Sequence, residues 1–215
     1  MTDRNRRIFS RIARRYDFCN RVLSAGQEQN WRREVADHLP AGRVLDLGSG
    51  TGAALPVLAG RVVVALDPVA PMLSLSPVHS RVVGVGESLP FPDESFDGVF
   101  SAYVFRNLTS VDRTLEEVNR VLRPGGVVAI VDLARPIGRW RRRLHTMGTA
   151  VVLPLAGLAV GAPGEYWYLH RSLDKLAPPE TLLAGNPLRL EKVWRMGPLG
   201  FVYGAVLRKP KPLPA

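Results

Sequence analysis

The residues best suited to chemistry in this chain lie in a glycine-rich turn and at two acids beside it. The run from Val44 to Gly52 is an apolar segment that carries Asp46 and leads into three glycines at alternating positions. Glycine lets the backbone approach a ligand closely and adopt positive φ angles. A second Val-rich segment ends at Asp67, where an acid can accept hydrogen bonds from both hydroxyls of a ribose. The alternative is that Asp67, followed by Pro68, only caps a turn.

The spacing of the glycines distinguishes between two kinds of adenosine ligand. A dinucleotide-binding turn has the spacing G-x-G-x-x-G and opens a helix that holds a pyrophosphate. Here the spacing is G-x-G-x-G, which resembles the turn of S-adenosylmethionine (SAM) methyltransferases, whose cofactor has no phosphate. The resemblance implies SAM as cofactor, S-adenosylhomocysteine as product and no metal. The cofactor residues that it implies are Asp46, Gly48, Ser49, Gly50, Thr51, Gly52 and Asp67.

More specific motifs resemble one family, the ubiquinone/menaquinone biosynthesis C-methyltransferases. The segment from Phe9 to Arg32 is similar to the N-terminus of that family, and residues 105–109 (Phe-Arg-Asn-Leu-Thr) are similar to its Arg-Asn motif. Residues 153–154 and 166–172 resemble its insertion, so the similarity runs from about residue 9 to residue 207. The family implies methylation of a ring carbon of a prenylated quinol similar to demethylmenaquinol.

This reaction indicates which side chains matter. The quinol ring attacks well only when a hydroxyl is ionised or nearly so, and phenols titrate near pH 10. The motif therefore implies that Arg106 stabilises the phenolate and that Asn107 orients the ring oxygen. Arginine is always charged, so it cannot also take the proton. Tyr16 and Asp17 are further catalytic candidates, and the alternative for the Arg-Asn pair is capping of the next helix.

The resemblance also implies cofactor contacts beyond the glycine turn, at Met72, Val85, Gly86, Glu87 and Ala102. The family usually has Asp or Asn at the position of Val85, where it accepts a hydrogen bond from the adenine amino group. A missing neutral hydrogen bond costs about 1 kcal/mol, so SAM binding is weakened and not excluded. No general base is assigned, because a lone histidine such as His145 or His170 is more often structural.

The pattern of elements must place these residues together. Alternating strands and helices predict a parallel, doubly wound α/β sheet, ending in a C-terminal hairpin. This is the architecture of class I SAM methyltransferases, with strand order 3-2-1-4-5-7-6. We expect one domain over residues 1–215, with an N-terminal helical cap (1–39) and a helical insertion (137–175). The predicted strands are 43–47, 61–66, 81–85, 96–102, 127–133, 188–195 and 199–207; the predicted later helices are 111–122 and 179–184, and turns are expected at 123–126 and 197–198.

Composition and charge restrict the partners. Of 215 residues, 29 are Lys or Arg and 19 are Asp or Glu, for a net charge of +10. Much of the excess positive charge lies in residues 4–21 and 139–143. These stretches could bind an anionic membrane surface or nucleic acid, or they could simply form a solvated surface. Nucleic acid is not expected, because these stretches lack aromatic stacking platforms. The single cysteine, Cys19, excludes an internal disulfide, and the lack of an apolar N-terminal run predicts a cytoplasmic protein. The Arg-rich stretches leave open a peripheral position at the inner face of the membrane.

Three alternatives remain open from the sequence. The apolar run 147–160 is too short and broken to span a bilayer, so it either lies on a membrane surface or forms a buried cap. The acceptor is a prenylated quinol or another small apolar molecule. Finally, a protein that binds SAM or RNA without catalysis would show the same glycine turn. The oligomeric state is not predicted.

Overall fold

The computed structural model describes residue 21 and residues 24–159, 173–174 and 177–212. The strands are β1 (Arg43–Leu47), β2 (Val62–Asp67), β3 (Ser80–Val83), β4 (Phe96–Ala102), β5 (Leu122–Leu133), β6 (Arg189–Met196) and β7 (Val202–Arg208). The α-helices are α1 (Glu28–Ala36), α2 (Ala70–Leu73), α3 (Val111–Val121), α4 (Arg139–Ala159) and α5 (Pro179–Leu182). Short 3₁₀ turns lie at Leu55–Leu58, Phe105–Asn107 and Pro198–Gly200.

The seven strands form one sheet in the order β3-β2-β1-β4-β5-β7-β6, which confirms the predicted fold class. Strands β1 to β5 are parallel to their neighbours, whereas β7 pairs antiparallel with β5 and β6. The centre of a parallel sheet of this kind is buried on both faces, so β1, β4 and β5 are largely buried and apolar, whereas the edge strands β3 and β6 are exposed or half-buried along most of their length. The N-terminal cap is described only in part, and there α1 ends at Ala36.

Alternate residues of the central strands pack into two cores. On one face, Leu45, Val99 and Ile130 pack with α3 through its Leu115 and Val118. On the other face, residues of the same strands pack with α1; they include Val44, Phe100, Val131, Trp31 and Val35. Because β1, β2 and β4 are parallel, the loops that follow them come together at one edge of the sheet.

The predicted boundaries differ from the structure most clearly in three places. Residues 123–126 were expected to form a turn, but they belong to β5, with a register shift against β4. Strand β3 ends at Val83, so Val85 lies in a loop and forms an isolated bridge with Ser88. The turn between β6 and β7 is longer than residues 197–198, because a 3₁₀ turn follows it. Within the described ranges, no helix combines the length and the apolar character needed to cross a bilayer.

Candidate active site

A cavity of about 90 Å³ opens where β1, β2 and β4 end side by side. In an open α/β sheet, ligands bind at the carboxyl ends of the strands, where the chain leaves neighbouring strands in opposite directions. Gly52 does not line the cavity, but the other predicted cofactor residues do: Asp46, Gly48, Ser49, Gly50, Thr51, Asp67, Met72, Val85, Gly86, Glu87 and Ala102. The sequence signals of three separate strands therefore meet in one place.

The glycine turn is shaped by the backbone angles that glycine allows. Gly48, Gly50 and Gly52 have φ angles of +75°, +56° and +82°. A Cβ on Gly48 would collide with the side chain of Val104, and one on Gly52 would collide with Ser76. Gly48 and Gly50 therefore keep the cavity open, while Gly52 lets the turn pack against the segment after α2.

Asp67 joins the glycine turn to the end of β2. Its Oδ2 accepts a hydrogen bond from the Gly50 N–H (2.9 Å), and its Oδ1 accepts one from the Val69 N–H (2.8 Å). Burial raises the pKa of Asp67, and these two N–H groups oppose the rise. The bond to Val69 is the turn cap that the sequence allowed as an alternative. A carboxylate oxygen has a second lone pair, so this cap leaves acceptor capacity for a ribose.

Polar groups without partners face this cavity and test whether SAM fits it. Asp46 Oδ2, Asn107 Oδ1 and two nitrogens of Arg32 (Nε and Nη1) are buried and have no hydrogen-bond partner in the described structure. Burial raises the pKa of Asp46 to about 6, against the lowering effects of Ser49 and the Arg32 guanidinium. Buried polar groups are normally paired, so such a set indicates a polar ligand. Donors and acceptors together fit the ribose and amino-acid ends of SAM.

A second, larger cavity of about 400 Å³ lies beside the first, and Tyr103 lines both. Its wall is mainly apolar and comes from α1, α4 and the turn before β7, through residues such as Trp31, Leu153 and Phe201. Arg106 and Glu28 are the charged side chains in the described part of this wall. An apolar cavity with a few polar groups is typical of a site for a small, largely apolar molecule.

Arg106 is held in this second wall by a buried acid. Its Nη1 lies 3.3 Å from Asp132 Oδ1, and the two side chains are 7% and 0% exposed. Asp132 also accepts hydrogen bonds from the N–H groups of Phe105 (2.8 Å) and Leu133 (2.7 Å). Burial raises the pKa of Asp132, opposed mainly by the Arg106 charge. Asp132, which the sequence analysis missed, therefore fixes both the turn and the direction of the guanidinium.

The structure separates the residues of the Arg-Asn motif. Arg106 lines the second cavity, whereas Asn107 lines the first, so a role for Asn107 in orienting a ring oxygen stays a prediction. The helix-capping alternative is wrong, because α3 is capped by Ser110, whose hydroxyl accepts from the Arg113 N–H. Tyr16 and Asp17 lie outside the described residues, as do His170 and the aromatic run 166–168.

His145 lies in the wall of the second cavity, in a hydrogen-bond network with Arg135 and Asp174. Arg135 Nη1 is 3.3 Å from His145 Nδ1, and Arg135 also forms a two-pronged ion pair with Asp174. A guanidinium only donates hydrogen bonds, so in this contact His145 Nδ1 is the acceptor.

Fold and site together define a SAM-dependent methyltransferase of class I architecture. The chain aligns at a TM-score of 0.66 and 17% identity with a SAM-dependent methyltransferase of Thermotoga maritima, a possible histamine N-methyltransferase, covering 94% of this chain and 98% of the other. Residues 2–184 match the model of the ubiE/COQ5 methyltransferase family, and the chain belongs to that family.

Curated relatives carry consistent names. A demethylmenaquinone methyltransferase of Thermus thermophilus is 36% identical, with 82% of this chain and 88% of that protein covered. A ubiquinone/menaquinone biosynthesis C-methyltransferase of Geobacter sulfurreducens is 35% identical, with 85% and 78% covered. The family resemblance and the enzyme class expected from the sequence are both confirmed.

Proposed function

We propose that this enzyme methylates a ring carbon of a prenylated quinol similar to demethylmenaquinol. The observation that carries the proposal is the apolar cavity of about 400 Å³ beside the cofactor cavity, with Tyr103 shared between them. A flat ring in this cavity would lie next to Arg106, and a prenyl chain would occupy apolar surface. The names of the relatives support the same substrate class.

The chemistry assigns a task to Arg106. When bound, SAM supplies an electrophilic methyl group in an in-line displacement that needs chiefly alignment and electrostatics. Arg106 favours ionisation of the ring hydroxyl, and the ring carbon adjacent to the resulting oxyanion is a better nucleophile than that of the neutral quinol. Asp132 is a positioning residue, since its carboxylate holds the guanidinium and the backbone of the same turn. The ring carbon loses its proton after the new C–C bond has formed.

A direct assay tests both the substrate and the role of Arg106. Purified protein is incubated with methyl-labelled SAM and either demethylmenaquinol or a demethoxy-ubiquinol analogue. We expect methyl transfer to the first, and Arg106→Ala should reduce single-turnover transfer by about a hundredfold or more with near-normal SAM affinity. Arg106→Lys keeps the charge without the planar fork and should retain part of the rate. A wild-type rate and pH profile in the Ala variant would show that Arg106 is structural.

We propose further that α4 brings the enzyme to an anionic bilayer, where a prenylated substrate resides. Trp140, Leu144, Met147 and Val151 follow helical spacing and are 46–75% exposed. Arginines at the start of α4 (Arg139, Arg141, Arg142 and Arg143) are exposed beside this stripe. Leu144 also lines the second, larger cavity, which we call the acceptor cavity, so the stripe borders its mouth. Apolar residues combined with arginines are typical of helices that lie in a membrane interface.

A further inference from the structure

Arg32 of α1 is a buried cation in the wall of the cofactor cavity whose donors are largely unused. It is 5% exposed, and its Nε and Nη1 have no hydrogen-bond partner among the described residues. Its guanidinium carbon lies 5.2 Å from the centre of the Tyr103 ring, a stacking contact that orients the group. Burial of a charge without a hydrogen-bonding partner is costly, so this position favours an anion in the cavity.

Asp46 presents the opposite charge to the same cavity. It is 2% exposed, and its Oδ2 is also unpartnered in the described structure. A pair of opposite charges, each with free hydrogen-bonding capacity, is complementary to a zwitterion. The methionine end of SAM is such a group, with a carboxylate and an ammonium on one carbon.

We propose that Arg32 binds the carboxylate of the methionine end of SAM and of S-adenosylhomocysteine. In this way it selects the complete cofactor against nucleosides that lack the carboxylate. The proposal rests on the assignment of the first cavity to SAM. It concerns binding alone, so it is independent of which acceptor the enzyme methylates.

Calorimetry with three ligands tests this role without any catalytic turnover. S-adenosylhomocysteine has the carboxylate, S-adenosyl-3-thiopropylamine lacks it but keeps the ammonium, and 5′-methylthioadenosine lacks both. A charge-assisted hydrogen bond to a carboxylate is worth about 1.5–3 kcal/mol, so the wild type should prefer the first ligand to the second by about tenfold to a hundredfold. Arg32→Gln should remove that preference, and Arg32→Lys should restore part of it. The matched control is Arg33→Gln, on the exposed side of α1.

The outcomes are distinguishable. A loss of affinity for S-adenosylhomocysteine alone supports the proposal. An equal loss for all three ligands indicates a structural role for Arg32 and overturns it. The wild-type comparison needs no variant, so a preference below about threefold overturns the proposal even if Arg32→Gln fails to fold. If the wild type binds none of the three ligands, the cofactor assignment itself is wrong.

A second inference concerns the missing proton acceptor and comes from a different residue of α1. Glu28 is 8% exposed, lines the acceptor cavity, and accepts a hydrogen bond from the Ser24 hydroxyl. In the described part of that wall, Glu28 is the carboxylate and Arg106 is the cation. Tyr103 and His145 lie in the same wall, and His145 accepts at Nδ1 from Arg135. A buried carboxylate in the wall of an apolar cavity that also presents a cation is suited to general-base chemistry.

We infer that Glu28 takes the hydroxyl proton of the acceptor ring while Arg106 stabilises the oxyanion, a role that rests on the proposed function. The O–H proton passes to Glu28, and the ring carbon then forms its C–C bond as the sulfur–methyl bond breaks. The ring C–H proton then passes to solvent water as aromaticity returns, and Glu28 returns its proton to the ring oxygen. One proton is therefore released for each methyl group transferred.

A comparison of two acceptors with different hydroxyl pKa values shows whether Glu28 acts as a base or only as a structural residue. Glu28→Gln should slow methyl transfer by about a hundredfold with demethylmenaquinol, since general-base catalysis is worth about that much or more. With a ring-fluorinated quinol that is already ionised at the assay pH, the variant should recover to within about threefold of the wild type. Glu116→Gln on the exposed face of α3 is the matched control. An equal loss with both acceptors, or no loss with either, overturns the role of Glu28. Absence of transfer by the wild type would instead contradict the proposed function.

Discussion

Replacement of Asp46 by Asn should stabilise the unliganded protein and weaken its binding of S-adenosylhomocysteine. Asp46 is buried at the end of β1, and its pKa is raised from 3.8 to about 6. The difference corresponds to about 3 kcal/mol, because a tenfold change in proton affinity is worth ~1.4 kcal/mol. At pH 7.5 the folded state holds an ionised carboxylate that burial disfavours, so Asn should raise the free energy of unfolding by up to about 3 kcal/mol.

The sign of the pH dependence follows from the direction of the pKa change. A carboxyl whose pKa is higher in the folded state favours folding when it is protonated. The contribution of Asp46 to stability is therefore complete below pH 3.8 and is lost as the pH rises towards 6. The stability difference between Asp46→Asn and wild type should accordingly shrink by about 2 kcal/mol between pH 7.5 and pH 4.5.

The affinity for S-adenosylhomocysteine should change with pH in the opposite direction to stability. This difference distinguishes the charge of Asp46 from a general effect of the substitution on packing. The ionised carboxylate attracts the ammonium of the ligand, so the wild-type affinity should fall below pH 6 by up to about tenfold per pH unit. Asp46→Asn should be weaker at pH 7.5 and lack this component of the pH dependence. Urea unfolding and calorimetry at both pH values measure the two effects, with the exposed Asp37→Asn as control. A variant that is less stable than the wild type at pH 7.5 would refute the reasoning.

Three further predictions use other parts of the structure. Glu117 accepts hydrogen bonds from Arg120 and the Leu89 N–H, which hold its pKa at about 2. Glu117→Gln should therefore lower the free energy of unfolding in urea by about 1–3 kcal/mol at pH 7. This difference from the wild type should disappear as the pH falls from 4.5 towards 2. Asp67→Ala should weaken S-adenosylhomocysteine at least tenfold by calorimetry, and unchanged affinity would contradict its ribose role. Replacing three arginines of α4 by Gln should reduce binding to anionic liposomes about a hundredfold at low salt, at ~1 kcal/mol per residue, whereas the same change at three exposed arginines elsewhere should not. The α4 variant is Arg139, Arg141 and Arg143 to Gln, and its control is Arg33, Arg113 and Arg189 to Gln. Equal recovery of wild type on neutral and anionic liposomes would favour a purely buried role for α4.

The sheet was predictable because its signals are local, and its errors arose where distant chain segments pair. Apolar runs separated by glycine, proline and acid residues marked most of the strands. Residues 123–126 looked like a turn because they contain Pro-Gly-Gly. In the structure the Gly125 N–H donates to the Lys209 carbonyl, and the Lys209 N–H donates to the Gly126 carbonyl. Pairing with the chain after β7 therefore keeps this segment extended, and no local pattern encodes that partner.

The same distinction explains which site residues the sequence indicated. The glycine turn and Asp67 carry recognisable local patterns, since their roles depend on backbone angles and on the end of a strand. Asp132 carries none, because its importance comes from Arg106, a residue far away in the chain. Arg32 and Glu28 belong to a helix whose sequence indicated only a cap. Their directions into two cavities appear when α1 is packed against the sheet.

Tyr103 shows how the fold connects the two cavities. It follows β4 with a φ angle of +63°, a region that bulky residues rarely adopt, while its N–H donates to the Val131 carbonyl. This conformation turns the chain sharply, and the segment around Tyr103 contributes to both cavities: Ala102 and Asn107 line the first, Arg106 lines the second, and Tyr103 lines both. Strain of this kind persists only where surrounding contacts enforce it. Here the conformation is held by the hydrogen bond to β5, by the bonds that Asp132 accepts from Phe105 and Arg106, and by the stacked Arg32. The bend thus brings Arg106 of the second cavity and Tyr103, which borders both cavities, into one short segment, and the proposed methyl transfer between two bound molecules requires such a juxtaposition.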